Sequence, residues 1–263
     1  MQAISVNGTT LHVAESGPED GPALVLSNSL GTDLRIWDAL LAHLPQELRI
    51  IRYDKRGHGL SDSPPLPWGM GDHVADLGGV MDALGVKGAT ICGLSVGGMT
   101  AQGLAAERPD LVSALILCDT GAKIGSPEMW NARIAAVEKG GIAVLADAIM
   151  ERWFTKAFRQ HDPAFLLWRN MLTRTTAAGY TGTSAAIRDT DLIESTNRLR
   201  LPCLAVCGAD DGATPPDLVR ETADLIPGSR FELIRNAGHL PCIEQPEELG
   251  HLISAFIEET GHV

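Results

Sequence analysis

The chain has 263 residues, 44% of them hydrophobic and 21% charged, enough for one large core or two modest ones. Its formal charge of −12, from 21 Lys and Arg against 33 Asp and Glu, argues against nucleic acid or an anionic membrane surface as partner. No window nears the roughly 18 uninterrupted apolar residues of a membrane span, and MQAISVNG has no basic region followed by an apolar core, so a cytoplasmic location is expected.

In chain order, short β-branched runs alternate with segments of helical period, the pattern of an α/β protein with a mostly parallel sheet and helices on both faces. Eight strands are expected, near 2–6, 10–15, 23–28, 48–53, 89–93, 114–118, 203–207 and 230–234. The first two flank Asn7-Gly8 and read as an antiparallel hairpin ahead of the parallel part. Helices are expected over 33–44, 72–84, 97–107, 216–225 and 246–258, with Gly85, Pro109 and Pro227 as stops.

Between 121 and 195 the alternation breaks. GGIAVLADAIMERWF and PAFLLWRNML have helical apolar spacing, and Trp130, Trp153 and Trp168 fall here. The expectation is a helical cap, 121–195, inserted into a core made of 1–120 and 196–263. The cap leaves the sheet after Cys118-Asp119-Thr120, the edge where α/β ligand crevices lie, and so reads as a lid; a helical subdomain that only adds core is the other reading. Five cysteines without a CxxC spacing argue against a disulfide framework and a structural zinc site. Cys92, Cys118, Cys203 and Cys207 sit in or beside apolar runs and read as small core residues, as does Cys242.

The chemistry-bearing stretch is Gly93-Leu94-Ser95-Val96-Gly97-Gly98, between the apolar run ATIC and a helical segment. G-x-S-x-G on a strand–turn–helix connection is the pattern of a nucleophile held on a sharp turn. At a helix start, the N–H of Val96 is free to stabilise an oxyanion. A serine hydroxyl needs a base and the base an orienting acid. His239, in ELIRNAGHLPCIEQP after the last strand, is the best-placed base, and CLAVCGADDGATPP offers Asp210 and Asp211 as acids.

With these stretches, the chain resembles the α/β-hydrolase family over essentially its full length. RYDKRGHGLSD (52–62), GLSVGG (93–98), GADDGATPP (208–216) and NAGHLPCIEQPEEL (236–249) are similar to that family's motifs and stand in its order. The resemblance implies Asp211 as the acid, with Ser95 the nucleophile and His239 the base. Asp54, Arg56 and His58 read as residues that hold a loop. The loop after the third strand, NSLGTDLRIWD, closely resembles that of the 3-oxoadipate enol-lactonases, and Leu30 falls where the family's second oxyanion N–H lies. Asn28 and Ser29 are either substrate contacts or braces of that loop.

The resemblance implies hydrolysis of a small anionic enol-lactone in aromatic compound catabolism, the beta-ketoadipate pathway, with no metal or organic cofactor. In a chain at −12 an anionic substrate needs a cation in the pocket. Arg133 is the first candidate, an exposed helix arginine being the alternative; Trp130 and Trp153 either line the pocket or pack the cap. The same triad would serve a broader carboxylesterase, a carbon–carbon bond hydrolase or a cofactor-free perhydrolase. A receptor for small lactones is the non-enzymatic alternative.

Overall fold

The computed structural model describes residues 1–261. Strand β1 (Gln2–Val6) and β2 (Thr9–Ser16) form the expected antiparallel hairpin, with Asn7 and Gly8 both at positive φ, 47° and 71°. That is the left-handed pair a two-residue primed turn demands. Next come β3 (Ala23–Ser27), β4 (Arg49–Tyr53), α1 (Met70–Ala83), β5 (Ala89–Leu94), α2 (Val96–Glu107) and β6 (Val112–Cys118). Helices α3 (Pro127–Gly140), α4 (Ala146–Trp153), α5 (Lys156–His161), α6 (Phe165–Thr173), α7 (Ala177–Arg188) and α8 (Ile193–Thr196) intervene before the sheet resumes. The chain then makes β7 (Cys203–Gly208), α9 (Pro216–Asp224), β8 (Arg230–Ile234), α10 (Pro241–Glu244) and α11 (Pro246–Glu259).

The eight strands form one sheet in the order β1-β2-β4-β3-β5-β6-β7-β8, with β2 antiparallel to β4 and every later pair parallel. Every residue of β5 and β7 is buried, as strands covered by helices on both faces require. Where ATICGL and CLAVCG lack polar alternation, the sheet is at its deepest. All five cysteines are free and buried.

The expected helix over 33–44 is absent. Two short 3-10 turns, Leu34–Trp37 and Leu40–His43, replace it. Asp33 accepts from Arg35 N, and Asp54 Oδ1 accepts from Leu34 N at 2.8 Å, so both N–H groups are held by side chains. Leu34, Ile36, Trp37 and Leu40 are all buried, as one broad face of a continuous helix would also leave them, so the side-chain caps rather than the burial pattern set the two turns apart. This segment follows β3 and, with the loops after β5, β7 and β8, lies at the carboxyl edge of the parallel strands, where crevices form in open α/β sheets.

Candidate active site

Only Ser95 separates β5 from α2. Its φ of 57° and ψ of −120° lie in a region an L residue enters only under constraint. Ser95 N donates to Cys118 O at 3.0 Å, and Thr120 Oγ1 donates to Ser95 O at 2.6 Å, which holds the turn from both sides. The flanking glycines permit the close approach. A Cβ on Gly93 would lie 2.4 Å from Gly97 O, and one on Gly97 would lie 2.1 Å from Ser27 O. The serine side chain is thereby raised into a cavity that Ser29, Leu30 and His239 also line.

His239 sits on the loop after β8, anchored by its N–H to Trp153 O at 2.8 Å and stacked on the Trp153 ring at 6.4 Å between centroids. Its Nδ1 lies 2.8 Å from Asp211 Oδ2. Asp211 is on the loop after β7 and accepts from Ala213 N, Thr214 N and Thr214 Oγ1 as well. Burial alone would raise the Asp211 pKa, but His239 and these donors outweigh it and hold the carboxyl below its ordinary range. Asp210 is exposed and points no carboxylate at the imidazole; only its N–H is engaged, on Ala237 O.

The other ring nitrogen, His239 Nε2, lies 3.3 Å from Ser29 Oγ. Ser95 Oγ makes no hydrogen bond among the described residues. The imidazole thus rests against Ser29 in this structure.

The backbone N–H groups of Leu30 and Val96 have no acceptor among the described residues, and Leu30 lines the cavity beside Ser95. Asn28 does not reach the cavity. It is 1% exposed and donates from Nδ2 to Thr32 O at 2.9 Å, so it braces the loop, and only Ser29 of that pair is a lining residue. His58 fixes the same loop from below, accepting from Gly31 N at Nε2 and donating from Nδ1 to Arg56 O, both at 3.0 Å. Burial and the nearby Lys55 ammonium push the His58 pKa well below 6.5, which matches a neutral ring with one donor and one acceptor. Arg56 is paired in the interior with Asp76 through two hydrogen bonds, at 2.6 and 2.7 Å.

Trp130, Arg133 and Trp153 all line the cavity, although they come from α3 and α4 of the inserted helices. The Arg133 guanidinium lies over the Trp130 ring at 4.8 Å, and the Trp130 Nε1–H is spent on Ile124 O at 2.7 Å. Arg152 and Tyr180 line it too, and sequence reasoning missed both. Arg152 had a signal, since it precedes Trp153 directly in ERWF; Tyr180, a lone aromatic in AAGYTGTS, had none. The cavity and its mouth together take in about 600 Å³. Among the described residues, two guanidinium groups and no carboxylate line it.

The Alpha/beta hydrolase family model matches residues 24–251. The chain belongs to the alpha/beta hydrolase family. Two relatives from Acinetobacter baylyi are 3-oxoadipate enol-lactonase 1, 35% identical over 95% of this chain and 94% of its own, and 3-oxoadipate enol-lactonase 2, 32% identical over 97% and 96%. The crystal structure of an enol-lactonase from Burkholderia xenovorans LB400 superposes with a TM-score of 0.95 at 36% identity, covering 98% of this chain and all of that one. Such similarity makes this hydrolase a homologue of ester-cleaving enzymes. No helix among its described residues is long and apolar enough to cross a membrane.

One further group of the hydrolase touches this site. Asp119, at the end of β6, is wholly buried at a positive φ of 46°, and offers an oxygen within 4.8 Å of ligand atoms of Asp211 and His239. As a metal site the trio is poor, because four donors already occupy the Asp211 oxygens and His239 Nδ1 is one of them. Asp119 Oδ1 accepts from Gly208 N at 2.8 Å, while Oδ2 has no hydrogen-bond partner among the described residues. Burial, and then the facing Asp211 carboxylate, push the Asp119 pKa well above its ordinary value. A raised carboxyl keeps its proton in the folded state while the unfolded chain loses it. Stability is therefore present below the unfolded pKa and lost as pH rises through the folded one. Asp119→Asn keeps the acceptor for Gly208 and removes that loss. Its melting temperature should exceed the parent's at pH 7 and converge on it toward pH 4, as thermal unfolding across that range would record.

Proposed function

We propose that this hydrolase opens a small anionic enol-lactone, 3-oxoadipate enol-lactone, to give 3-oxoadipate in the breakdown of aromatic compounds by the beta-ketoadipate pathway. The observation that carries the reading is the charge of the cavity. In a chain of net charge −12, Arg133 and Arg152 line the space beside Ser95 with no carboxylate to neutralise them. Both arginines are half-buried and neither has an ion-pair partner among the described residues, so an occupant bearing a carboxylate gains charge-assisted hydrogen bonds there.

In this mechanism Ser95 Oγ attacks the lactone carbonyl while His239 Nε2 takes its proton, and Asp211 holds the imidazole and stabilises its charged form. The oxyanion is bound by the N–H groups of Leu30 and Val96. Collapse of the tetrahedral intermediate breaks the ring C–O bond. His239 returns the proton to the departing enol oxygen, and the enol drains away as the ketone. A water, deprotonated by the same imidazole, then attacks the acyl-enzyme and releases the second carboxylate. Trp130 and Trp153 give the ring an apolar wall.

Loss of the enol-lactone's ultraviolet absorbance on adding purified protein tests the substrate directly. No loss at micromolar protein overturns the assignment. Arg133→Ala and Arg152→Ala should each raise KM for the anionic lactone by about tenfold to a hundredfold, the worth of a charged hydrogen bond of roughly 1.5–3 kcal/mol. For neutral p-nitrophenyl acetate, KM should move less than about threefold. Equal changes on both substrates remove the arginines from carboxylate binding.

A further inference from the structure

Lys55 is 4% exposed, far from any solvent that would ordinarily hydrate an ammonium group, and the mechanism above gives it nothing to do. A buried lysine in the loop after β4 is costly, and a methyl or hydroxyl would fill space there at less expense. Its partners show where the charge is used. Nζ donates to Ser29 O, and at 3.3 Å to Thr32 O. The Ser29 carbonyl also accepts from Thr32 N at 3.3 Å and Thr32 Oγ1 at 2.8 Å, so three donors converge on one oxygen.

That oxygen belongs to the same peptide unit as the N–H of Leu30. In a planar trans peptide the C=O and N–H point in opposite directions. Fixing the carbonyl toward the interior therefore turns the N–H the other way, toward the cavity that Ser29, Leu30 and Ser95 line. A cation on the carbonyl also draws electron density through the amide and makes its N–H a stronger donor, in a site where dry surroundings magnify the effect.

We propose that Lys55 is a positioning residue of the oxyanion hole, its ammonium orienting and polarising the Ser29–Leu30 peptide so that Leu30 N–H is aimed at the oxyanion formed on attack by Ser95. The inference rests on the serine-hydrolase reading of the site and deepens it. The hole then has two unlike halves. Val96 N–H is aligned by the start of α2, and Leu30 N–H by a side chain from the neighbouring strand's loop. It also explains why RYDKRGHG carries a cation between Asp54 and Arg56, in a stretch whose other polar residues are spent on loop backbone or ion pairs.

The charge makes the assignment testable. Burial lowers the Lys55 pKa to about 7, with Asp54 and Asp33 acting against the shift. His58 and His73, both pushed down partly by Lys55, and Arg56, which lowers His73, also face this region, with His12 on Asp54 and with Asp76 and Asp72 on Arg56. As pH rises through 7 the ammonium becomes an amine and the peptide loses its polarisation, so the wild-type rate should fall on the alkaline side.

The experiment compares wild type, Lys55→Met, Lys55→Arg and Ser95→Ala on the enol-lactone and on p-nitrophenyl acetate, with kcat and KM measured from pH 6 to 9. For Lys55→Met, kcat should fall by roughly tenfold to a hundredfold on both substrates, below the full loss of an oxyanion donor, with KM within about threefold. A trifluoromethyl ketone, whose serine adduct carries the oxyanion, should bind weaker by the same factor. The alkaline fall should vanish in Lys55→Met, and Lys55→Arg should recover most of kcat and move the fall beyond pH 9. A wild-type kcat in Lys55→Met, a loss confined to KM, or an alkaline limb unchanged in the variants overturns the proposal. Should Lys55→Met not fold, the limb in wild type and its displacement in Lys55→Arg decide the question alone. Turnover persisting in Ser95→Ala would instead overturn the serine-hydrolase reading, and this inference with it.

Discussion

Ser95→Ala should lower kcat by at least about three orders of magnitude, some 4 kcal/mol of transition-state stabilisation, while the melting temperature stays close to the parent's. The separation of the two effects follows from the turn. Its strain is held by Cys118 O, Thr120 Oγ1 and the absence of side chains at Gly93 and Gly97, none of which depends on the serine hydroxyl. Ser95 Oγ makes no hydrogen bond among the described residues, so its removal leaves no partner unsatisfied. Residual hydrolysis would come from the oxyanion donors acting on water. A variant with near-normal turnover, measured by stopped absorbance assays after removal of any copurifying esterase, would sink the nucleophile assignment. A variant that loses activity by unfolding would show instead that the turn needs the hydroxyl.

Asp211→Asn is the second large effect, a fall in kcat of about three to four orders of magnitude near neutral pH. The amide cannot stabilise the imidazolium, and it presents an N–H where His239 Nδ1 needs an acceptor or a charge. Thr214 Oγ1, 3.2 Å from the same nitrogen, cannot substitute because a neutral hydroxyl, whose one proton goes to either Asp211 Oδ2 or Asp119 O, brings no charge to the imidazolium. The acid side of the comparison follows from the lowered Asp211 pKa. A depressed carboxyl stabilises the fold above its unfolded pKa and loses that contribution as pH falls through the folded one. Asp211→Asn should accordingly flatten the acid limb of thermal stability below about pH 4. Activity within tenfold of the parent would show that another carboxyl orients His239, and Asp119 is the one at hand.

Much of this site was legible in the residue order. G-x-S-x-G between an apolar run and a helical segment points to the turn, because glycine is required where a side chain would strike neighbouring backbone, as a Cβ on Gly97 would strike Ser27 O. The order of Ser95, Asp211 and His239 follows from three strand ends that a parallel sheet must place on one edge. The segment 33–44 was misread because its apolar residues promise a buried element without saying which one; Asp33 and Asp54, by capping backbone N–H groups, make it two 3-10 turns. Arg152 was overlooked because a helix pattern gives the spacing of side chains but not what the helix faces.

The chain alone determined the alternation of strands and helices, the serine turn and the order of Ser95, Asp211 and His239, since these depend on local spacing and on connections a few residues long. Only the tertiary structure decided that two arginines line the same cavity, that Asn28 braces its loop while Ser29 meets His239, that Asp119 stands buried beside Asp211, and that Lys55 reaches the carbonyl of the Ser29–Leu30 peptide. Each is a meeting of residues distant in the chain. Charge, burial and hydrogen-bond direction acquire chemical meaning there only when the packed sheet and its inserted helices bring the groups within a few ångströms of one another.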